Sequence, residues 1–152
     1  MNPQSNTAGP PPEHFRKLER MYLAAPTNEY FKLTAKFSRG EAHIRIPVRP
    51  DFFHAGGAVH GHVYFKALDD AAFFAANSLV EDVFVLTASF EIRFLKPVNS
   101  GSIHAAGRVV TSSRKLFVCA SELFDSEGDL IGSGQGHFLR SKISLTPEIG
   151  YR

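Results

Sequence analysis

Two adjacent carboxylates, Asp69 and Asp70, lie inside an apolar run that is long enough for a helix of several turns. The segment from His62 to Val80 contains neither proline nor glycine, and a helix with so little polar face is buried on nearly all sides. An ionised carboxylate there must be paired, exposed at an opening or used in chemistry, because burying it alone is costly. Neighbours on a helix point about 100° apart, so we expect one carboxylate at a cleft and the other at an edge or a subunit partner. The alternative is that both lie on one solvated stripe with Lys66.

A loop that carries histidines and glycines leads into this helix. It reads His-Ala-Gly-Gly-Ala-Val-His-Gly-His from His54 to His62. Backbone N–H groups at a helix start are unpaired and lie at the positive end of the dipole, and glycine lets another group approach them closely. Such an arrangement suits a developing oxyanion. The loop offers no carboxylate or thiol at ligand spacing beside its histidines, so no metal site is predicted.

The flanking patterns predict a sheet that covers the apolar helix. An N-terminal helix is expected over 13–25, with Pro26 marking its end. Alternating apolar residues predict a hairpin over 30–48 that turns at 38–40. Four further strands are expected at 83–96, 102–111, 116–124 and 130–139. The predicted fold class is α+β, an antiparallel β-sheet wrapped around one long buried central helix, with an extra N-terminal helix.

Length and composition limit the class of protein. The 152 residues suit one domain, and 43% hydrophobic with 21% charged residues is typical of soluble globular proteins. We predict a disordered arm over 1–12, a single domain over 13–142 and a C-terminal tail over 143–152. The net charge of +2, with both signs interleaved, argues against a nucleic-acid partner.

Targeting signals are not apparent in the sequence. The polar, proline-rich start lacks a secretory signal pattern, and no run approaches the ~18 apolar residues that a membrane span needs. The single cysteine, Cys119, cannot form an internal disulfide and is interpreted as a small buried residue. A cytoplasmic location is therefore expected.

The loop and the helix together resemble the core signature of hotdog-fold thioesterases of the phenylacetate-pathway type. That signature is Asn-x-x-Gly-x-x-His-Gly-Gly, followed by a helix with an Asp and later an Asn-Ser pair. The chain matches it without a gap at Gly57, His60, Gly61, Asp69, Asn77 and Ser78. Phe94-Leu95-Lys96-Pro97 resembles the family's strand end, and the resemblance spans residues 31–139. The chain departs from the signature where His54 replaces the Asn and His62 replaces the second Gly.

The resemblance implies a hotdog fold and hydrolysis of an acyl-CoA thioester to the free acid and CoA. Asp69 would act as general base on water or attack the thioester directly, and the backbone N–H of Gly61 would hold the thioester oxygen. His54 would orient water or substrate in place of the Asn amide. His60 is predicted to be a catalytic residue because it matches the His of the family signature. Thr87 stands where the family often has a hydroxyl beside the carboxylate. An ordinary strand threonine is the alternative.

The substrate contacts are predicted from the same resemblance. Phe65, Phe73 and Asn77 are expected to bind the acyl group, although most phenylalanines must be core. The basic turn Ser112-Ser113-Arg114-Lys115 is where relatives meet the nucleotide end of CoA, and its two cations suit phosphates. A solvated basic turn is the alternative. No cofactor is expected apart from coenzyme A as part of the substrate.

In such enzymes the glycine loop and the acid come from different subunits. The resemblance therefore implies a homodimer or homotetramer with a small-molecule acyl-CoA as its partner, and neither nucleic acid nor membrane. Two other functions stay open. One is a non-catalytic acyl-CoA binding protein, which the substitutions at His54 and His62 favour. The other is a hotdog enoyl-thioester hydratase or dehydratase acting through His54 and an acid, although the usual motifs of those enzymes are missing.

Overall fold

The computed structural model describes residues 9–152, so residues 1–8 of the predicted arm lie outside the described part of the chain. Three α-helices are described: α1 (Pro12–Ala24), α2 (Pro26–Phe31) and α3 (Gly61–Asn77). The strands are β1 (Thr34–Ser38), β2 (Glu41–Pro47), β3 (Val83–Phe94), β4 (Ser102–Ser112), β5 (Leu116–Phe124) and β6 (Leu130–Ser144). Short 3-10 helices cover Pro50–Phe52 and Pro147–Ile149. None of the described helices is long and apolar enough to cross a membrane.

The six strands form one antiparallel sheet in the order β1-β2-β4-β5-β6-β3. The chain enters α3 after β2 and then crosses to the far edge of the sheet, where β3 pairs with β6 alone. Thr87 of β3 lies opposite Phe138, which lies opposite Phe117 of β5. β3 is therefore an edge strand of twelve residues, with one side free of any strand in the described chain.

Helix α3 packs against the inner face of this sheet, as predicted. Leu68 and Ala71 are fully buried, and the Ser121 hydroxyl on β5 donates to the Leu68 carbonyl at 2.8 Å. The helix approaches β4 so closely that a Cβ on Gly107 would lie 2.2 Å from the Ala71 carbonyl oxygen. Only glycine fits at this crossing, because any larger residue would push the helix off the sheet.

The main departure from the sequence prediction lies in the N-terminal region. Pro26 does end α1, but it also begins a second helix, because proline is well suited to the first helical position. Phe31, which was predicted to lie in a strand, is instead the last residue of α2. The hairpin that follows turns at the predicted place, and β6 continues five residues beyond the predicted end at Leu139.

Helix α1 is held against the domain by buried polar contacts. The Glu19 carboxylate accepts from the Phe37 backbone N–H at 2.7 Å. His14 is 2% exposed and contacts the Asn77 carbonyl at 2.9 Å and the Tyr151 hydroxyl at 2.7 Å. Burial lowers the pKa of His14, so the imidazole is neutral at pH 7. These contacts tie α1 to the end of α3 and to the C-terminal segment.

Candidate active site

One stripe of α3 faces the edge strand β3. Phe65, Asp69 and Phe73 follow each other at four-residue spacing and so lie on one side of the helix. Asp69 accepts a hydrogen bond from the Thr87 hydroxyl at 3.0 Å, and the Phe73 ring lies 4.9 Å from that of Phe84. Phe65 is 40% exposed, so the expectation of burial on nearly all sides is wrong at this position.

The carboxylate of Asp69 is partly withdrawn from water and only lightly paired. Its Oδ1 accepts from Thr87, and its Oδ2 has no hydrogen-bond partner within residues 9–152. Burial first, and then the charge of Asp70, raise the pKa of Asp69 to about 6, while Thr87 and Lys66 partly offset the rise. A carboxylate tuned in this way is ionised at pH 7 yet basic enough to accept a proton from water.

Asp70 has partners that Asp69 lacks. Its Oδ2 accepts from the Lys66 ammonium at 2.5 Å and from the Tyr22 hydroxyl at 2.7 Å. Burial and the neighbouring Asp70 carboxylate raise the pKa of Tyr22 well above its usual range, so the phenol remains the donor. Both aspartates line the same cavity, which corrects the expectation that they face different surroundings. They differ in pairing, which leaves Asp69 as the carboxylate free for chemistry.

The cavity beside Asp69 has a volume of about 650 Å³, within the range of pockets that bind small molecules. Apart from Lys66, Asp69 and Asp70 its lining carries no charged side chain. It is lined by Met21, Tyr22, Ala25, Thr27, Asn28, Lys66, Asp69, Asp70, Phe73, Phe74, Phe84, Leu86, Thr87, Ile143 and Ile149. Phe73 is thus brought to Asp69 as predicted from sequence, whereas Phe65 is not among the lining residues.

The glycine loop borders a second, smaller cavity of about 290 Å³ that includes His54, Gly61 and Phe94. The Gly61 N–H has no acceptor among residues 9–152, as expected for the first residue of a helix. A Cβ on Gly61 would lie 2.8 Å from Cε1 of Phe94, so a larger residue there would displace the exposed Phe94 ring. The His54 imidazole is exposed and accepts from the Gly56 N–H through Nδ1 at 2.9 Å.

His60 caps the helix. Its Nδ1 accepts the His62 backbone N–H at 3.0 Å and lies 2.8 Å from Nδ1 of the His62 ring. Because His60 Nδ1 accepts the His62 backbone N–H, the donor between the two rings is Nδ1 of His62. Burial and the charge that His60 carries when protonated lower the pKa of His62. His60 therefore shapes the helix start on which Gly61 sits.

Gly61 and Asp69 are too far apart to act together within one copy of the chain. They are eight residues apart on a continuous helix, which places them about 12 Å from each other along its axis. They also border different cavities. A thioester carbonyl held by one of them can be reached by the other only if the two groups come from different copies.

Two other predicted binding sites lie apart from Asp69. Asn77 is fully buried, donates to the carbonyls of Val80 and Val83, and accepts from the Val85 N–H at 2.9 Å. Two of these bonds join the end of α3 to β3 and the third joins it to the loop before β3, and the structure does not bring this side chain to the cavity.

The basic turn at 112–115 forms the β4–β5 hairpin loop. Ser113 closes it by pairing with the backbone of Leu116. Arg114 and Lys115 are exposed and form no salt bridge with any described residue.

Within the described residues, one group of side chains has a spacing that could hold a metal ion. It consists of Asp125, Glu127 and Asp129 in the β5–β6 turn. The Lys96 ammonium already lies 3.2 Å from the Asp125 carboxylate and 2.7 Å from that of Asp129. This turn is exposed and takes no part in the cavity beside Asp69.

Sequence reasoning missed the cavity wall contributed by α1 and the C-terminal segment. A helix over 13–25 was predicted, but nothing in its sequence pattern indicates that Met21 and Tyr22 face a cavity. Lys66 and Asp70 could have been paired from their i, i+4 spacing alone. The bond from Tyr22 to Asp70 spans 48 residues and has no local sequence signal.

A long buried helix that carries one lightly paired carboxylate and packs against an antiparallel sheet is the architecture of the hotdog fold. The sequence profile of the thioesterase superfamily matches residues 56–131, half of the chain, and this chain belongs to that superfamily. It is 28% identical to a candidate esterase of Saccharolobus solfataricus over 69% of this chain and 76% of that protein. A candidate esterase of Sulfurisphaera tokodaii is 28% identical over 69% of this chain and 80% of its own length. These matches support hydrolysis of a thioester or ester bond.

Solved structures confirm the fold. The Escherichia coli PaaI protein from the phenylacetic acid degradation operon superposes with a TM-score of 0.80 at 18% identity, covering 88% of this chain and 97% of that one. A thioesterase of Haemophilus influenzae superposes with a TM-score of 0.72 at 16% identity, covering 79% of this chain and 85% of that one. The predicted α+β hotdog architecture is therefore correct.

Proposed function

We propose that this protein hydrolyses an acyl-CoA thioester to a free acid and CoA, with Asp69 as the group that activates water. The observation that carries the proposal is the Asp69 carboxylate itself. It lies on a mostly apolar cavity, its pKa is raised to about 6, and Thr87 is its sole hydrogen-bond partner among the described residues. Membership of the thioesterase superfamily supports the same reaction class.

The chemistry follows from the state of this carboxylate at neutral pH. Ionised Asp69 takes a proton from a water molecule, and the water oxygen adds to the carbonyl carbon of the thioester. The resulting oxyanion accepts a hydrogen bond from the Gly61 N–H at the positive end of α3. Collapse of the intermediate breaks the carbon–sulfur bond, and the proton held by Asp69 passes to the departing CoA thiolate. Thr87 keeps Oδ1 occupied, so Oδ2 is the oxygen that faces water.

The active unit in this proposal is a pair of chains, because one chain cannot place Gly61 and Asp69 on the same carbonyl. The free side of β3 supplies a surface for a second copy. Phe94 at its end is 57% exposed and Leu95 beyond it is 54% exposed, although both are large and apolar. Unpaired edge strands with exposed apolar residues tend to find another strand, and a second β3 would continue the sheet. This pairing would carry the partner's glycine loop towards Asp69.

Two sequence-predicted groups keep supporting roles in the proposal. His54 borders the Gly61 cavity and would orient the thioester or the water there. Arg114 and Lys115 are exposed and form no described ion pair, as contacts for the phosphates of CoA would need to be.

A thiol-release assay tests the proposal. Purified protein is offered short-chain, long-chain and aryl acyl-CoA thioesters, and free CoA is measured. We expect hydrolysis of at least one of them and a loss of at least 1000-fold in kcat for Asp69→Asn, since that variant cannot take a proton.

The matched control is Asp82→Asn, which removes a carboxylate that is paired with Arg140 and does not line the cavity. This variant should retain the wild-type rate. If the wild-type protein binds acyl-CoA but releases no CoA, the proposed thioesterase activity is wrong and a binding protein is favoured. Equal rates in Asp69→Asn and wild type would contradict the role of Asp69.

A further inference from the structure

The cavity beside Asp69 is closed on one side by parts of the chain outside the matched thioesterase segment. That segment covers residues 56–131. Met21, Tyr22 and Ala25 line the cavity from α1 and its junction with α2, and Ile143 and Ile149 line it from the C-terminal segment. The shared thioesterase core therefore supplies the carboxylate, while the flanking helices of this chain supply much of the wall.

This wall is fixed in place. The Tyr22 hydroxyl donates to Asp70 at 2.7 Å, and the Asn28 amide, 4% exposed, donates to the Tyr22 carbonyl at 2.6 Å. The Tyr22 ring also packs edge-on against Phe74 of α3, with ring centroids 4.7 Å apart. Hydrogen bonds and ring packing on both sides of one residue make the junction of α1 and α2 a rigid boundary of the cavity.

The charges of the cavity select against an ionised ligand. Lys66 is neutralised by Asp70 at 2.5 Å, and its ammonium also lies over the rings of Tyr22 and Phe31 at 5.5 Å and 5.2 Å. Asp69 is the remaining charge, and it is negative. A carboxylate on the acyl chain would therefore be repelled, while the apolar lining favours hydrocarbon.

We propose that the α1–α2 junction, centred on Met21, Tyr22 and Ala25, is the specificity-determining wall of the acyl pocket. It sets the upper length of an uncharged, apolar acyl chain that ends against this wall. The inference rests on the proposed thioesterase function and extends it to the substrate class. Because each buried methylene is worth about 0.8 kcal/mol, kcat/KM should rise about fourfold per methylene until the chain meets the wall.

A series of saturated acyl-CoA thioesters from acetyl to palmitoyl tests the wall. For the wild-type protein, kcat/KM should rise with acyl-chain length and then stop rising at one length, which we call the break. Ala25→Phe places a ring in the cavity and should move the break to shorter chains, with a loss of more than about tenfold for the best wild-type substrate relative to acetyl-CoA. Met21→Ala removes side-chain volume from the same wall and should move the break to longer chains. A dicarboxylic acyl-CoA of the optimal length should be hydrolysed at least about tenfold less efficiently than its monocarboxylic counterpart.

The matched control is Leu23→Ala, because Leu23 lies on α1, is 45% exposed and does not line the cavity. Its length profile should equal that of wild type, and thermal melts should show that all the variants are folded. If the break stays at the same chain length in folded Ala25→Phe and in folded Met21→Ala, the α1–α2 junction does not determine chain length. That result would leave the thioesterase proposal intact. Absence of any hydrolysis by wild-type protein would instead count against the proposed function.

Discussion

Asp69 should lower the stability of the protein at neutral pH, and replacing it with Asn should therefore raise stability. The folded protein holds the pKa of Asp69 at about 6, against 3.8 for the unperturbed group. Folding of the wild type is therefore penalised increasingly as the pH rises from 3.8 through 6, where the folded carboxyl loses its proton. The difference between these two pKa values corresponds to a loss of about 3 kcal/mol in the free energy of unfolding above pH 6. The neutral Asn side chain avoids this loss. The amide can still accept the Thr87 hydrogen bond.

The assay is urea unfolding of wild type and Asp69→Asn at pH 4 and at pH 8. We expect the free energy of unfolding of the variant, relative to wild type, to increase by about 2–3 kcal/mol between these two pH values. The comparison control is Asp82→Asn. Burial raises the pKa of Asp82, but its hydrogen bond with Arg140 lowers the pKa overall to below its usual 3.8, so the stability of this variant relative to wild type should stay nearly constant between pH 4 and pH 8. A difference between Asp69→Asn and wild type that is the same at both pH values would refute the account of the carboxylate.

Three further variants test the parts of the site separately. The Thr87 hydrogen bond lowers the pKa of Asp69, so in Thr87→Val the midpoint of the kcat/KM profile should move above its wild-type value near pH 6, with the rate still lost on the acid side. Asn77→Ala leaves three buried backbone groups without partners and should cost about 3 kcal/mol in urea unfolding. Gly61→Pro deletes the proposed oxyanion donor, and proline is tolerated there because Gly61 is the first helical residue and His60 before it is extended, with ψ 145°. This variant should lower kcat about 100- to 1000-fold.

Two of these variants, Thr87→Val and Gly61→Pro, have a conservative control. Thr87→Ser keeps the hydroxyl and should keep the pH midpoint, and Gly61→Ala adds a Cβ near Phe94 but keeps the N–H, so it should retain most of the rate. If Gly61→Pro and Gly61→Ala have equal rates, the Gly61 N–H does not stabilise the oxyanion. An Asn77→Ala protein as stable as wild type would show that its three bonds contribute nothing.

Local patterns predicted most of the fold because the relevant forces act over short stretches of the chain. The apolar run that became α3 and the alternating strands were visible in the sequence, and β5 has the predicted bounds. The short helix α2 was missed because Pro26 was interpreted only as a stop, although the same residue also starts a helix well.

The site was predictable where it depends on helix geometry and not where it depends on tertiary contacts. Asp69 and Phe73 lie on one face because they are four residues apart, and the motif carried the prediction of Thr87 beside Asp69. Asn77 was predicted to bind substrate, but its position at the end of α3 makes it a buried link to β3. The junction wall at Tyr22 depends on packing across the chain, which no local pattern reports.

The central claim is that Asp69 of one copy works with the Gly61 N–H of another. It is tested by mixing two inactive variants, Asp69→Asn and Gly61→Pro, under conditions in which subunits exchange. If the two groups come from different copies, a mixed dimer restores one intact site, and random pairing of equal amounts should recover about a quarter of the wild-type rate. If both groups served one site within a single copy, the mixture would stay as inactive as its components, and that result would contradict the account.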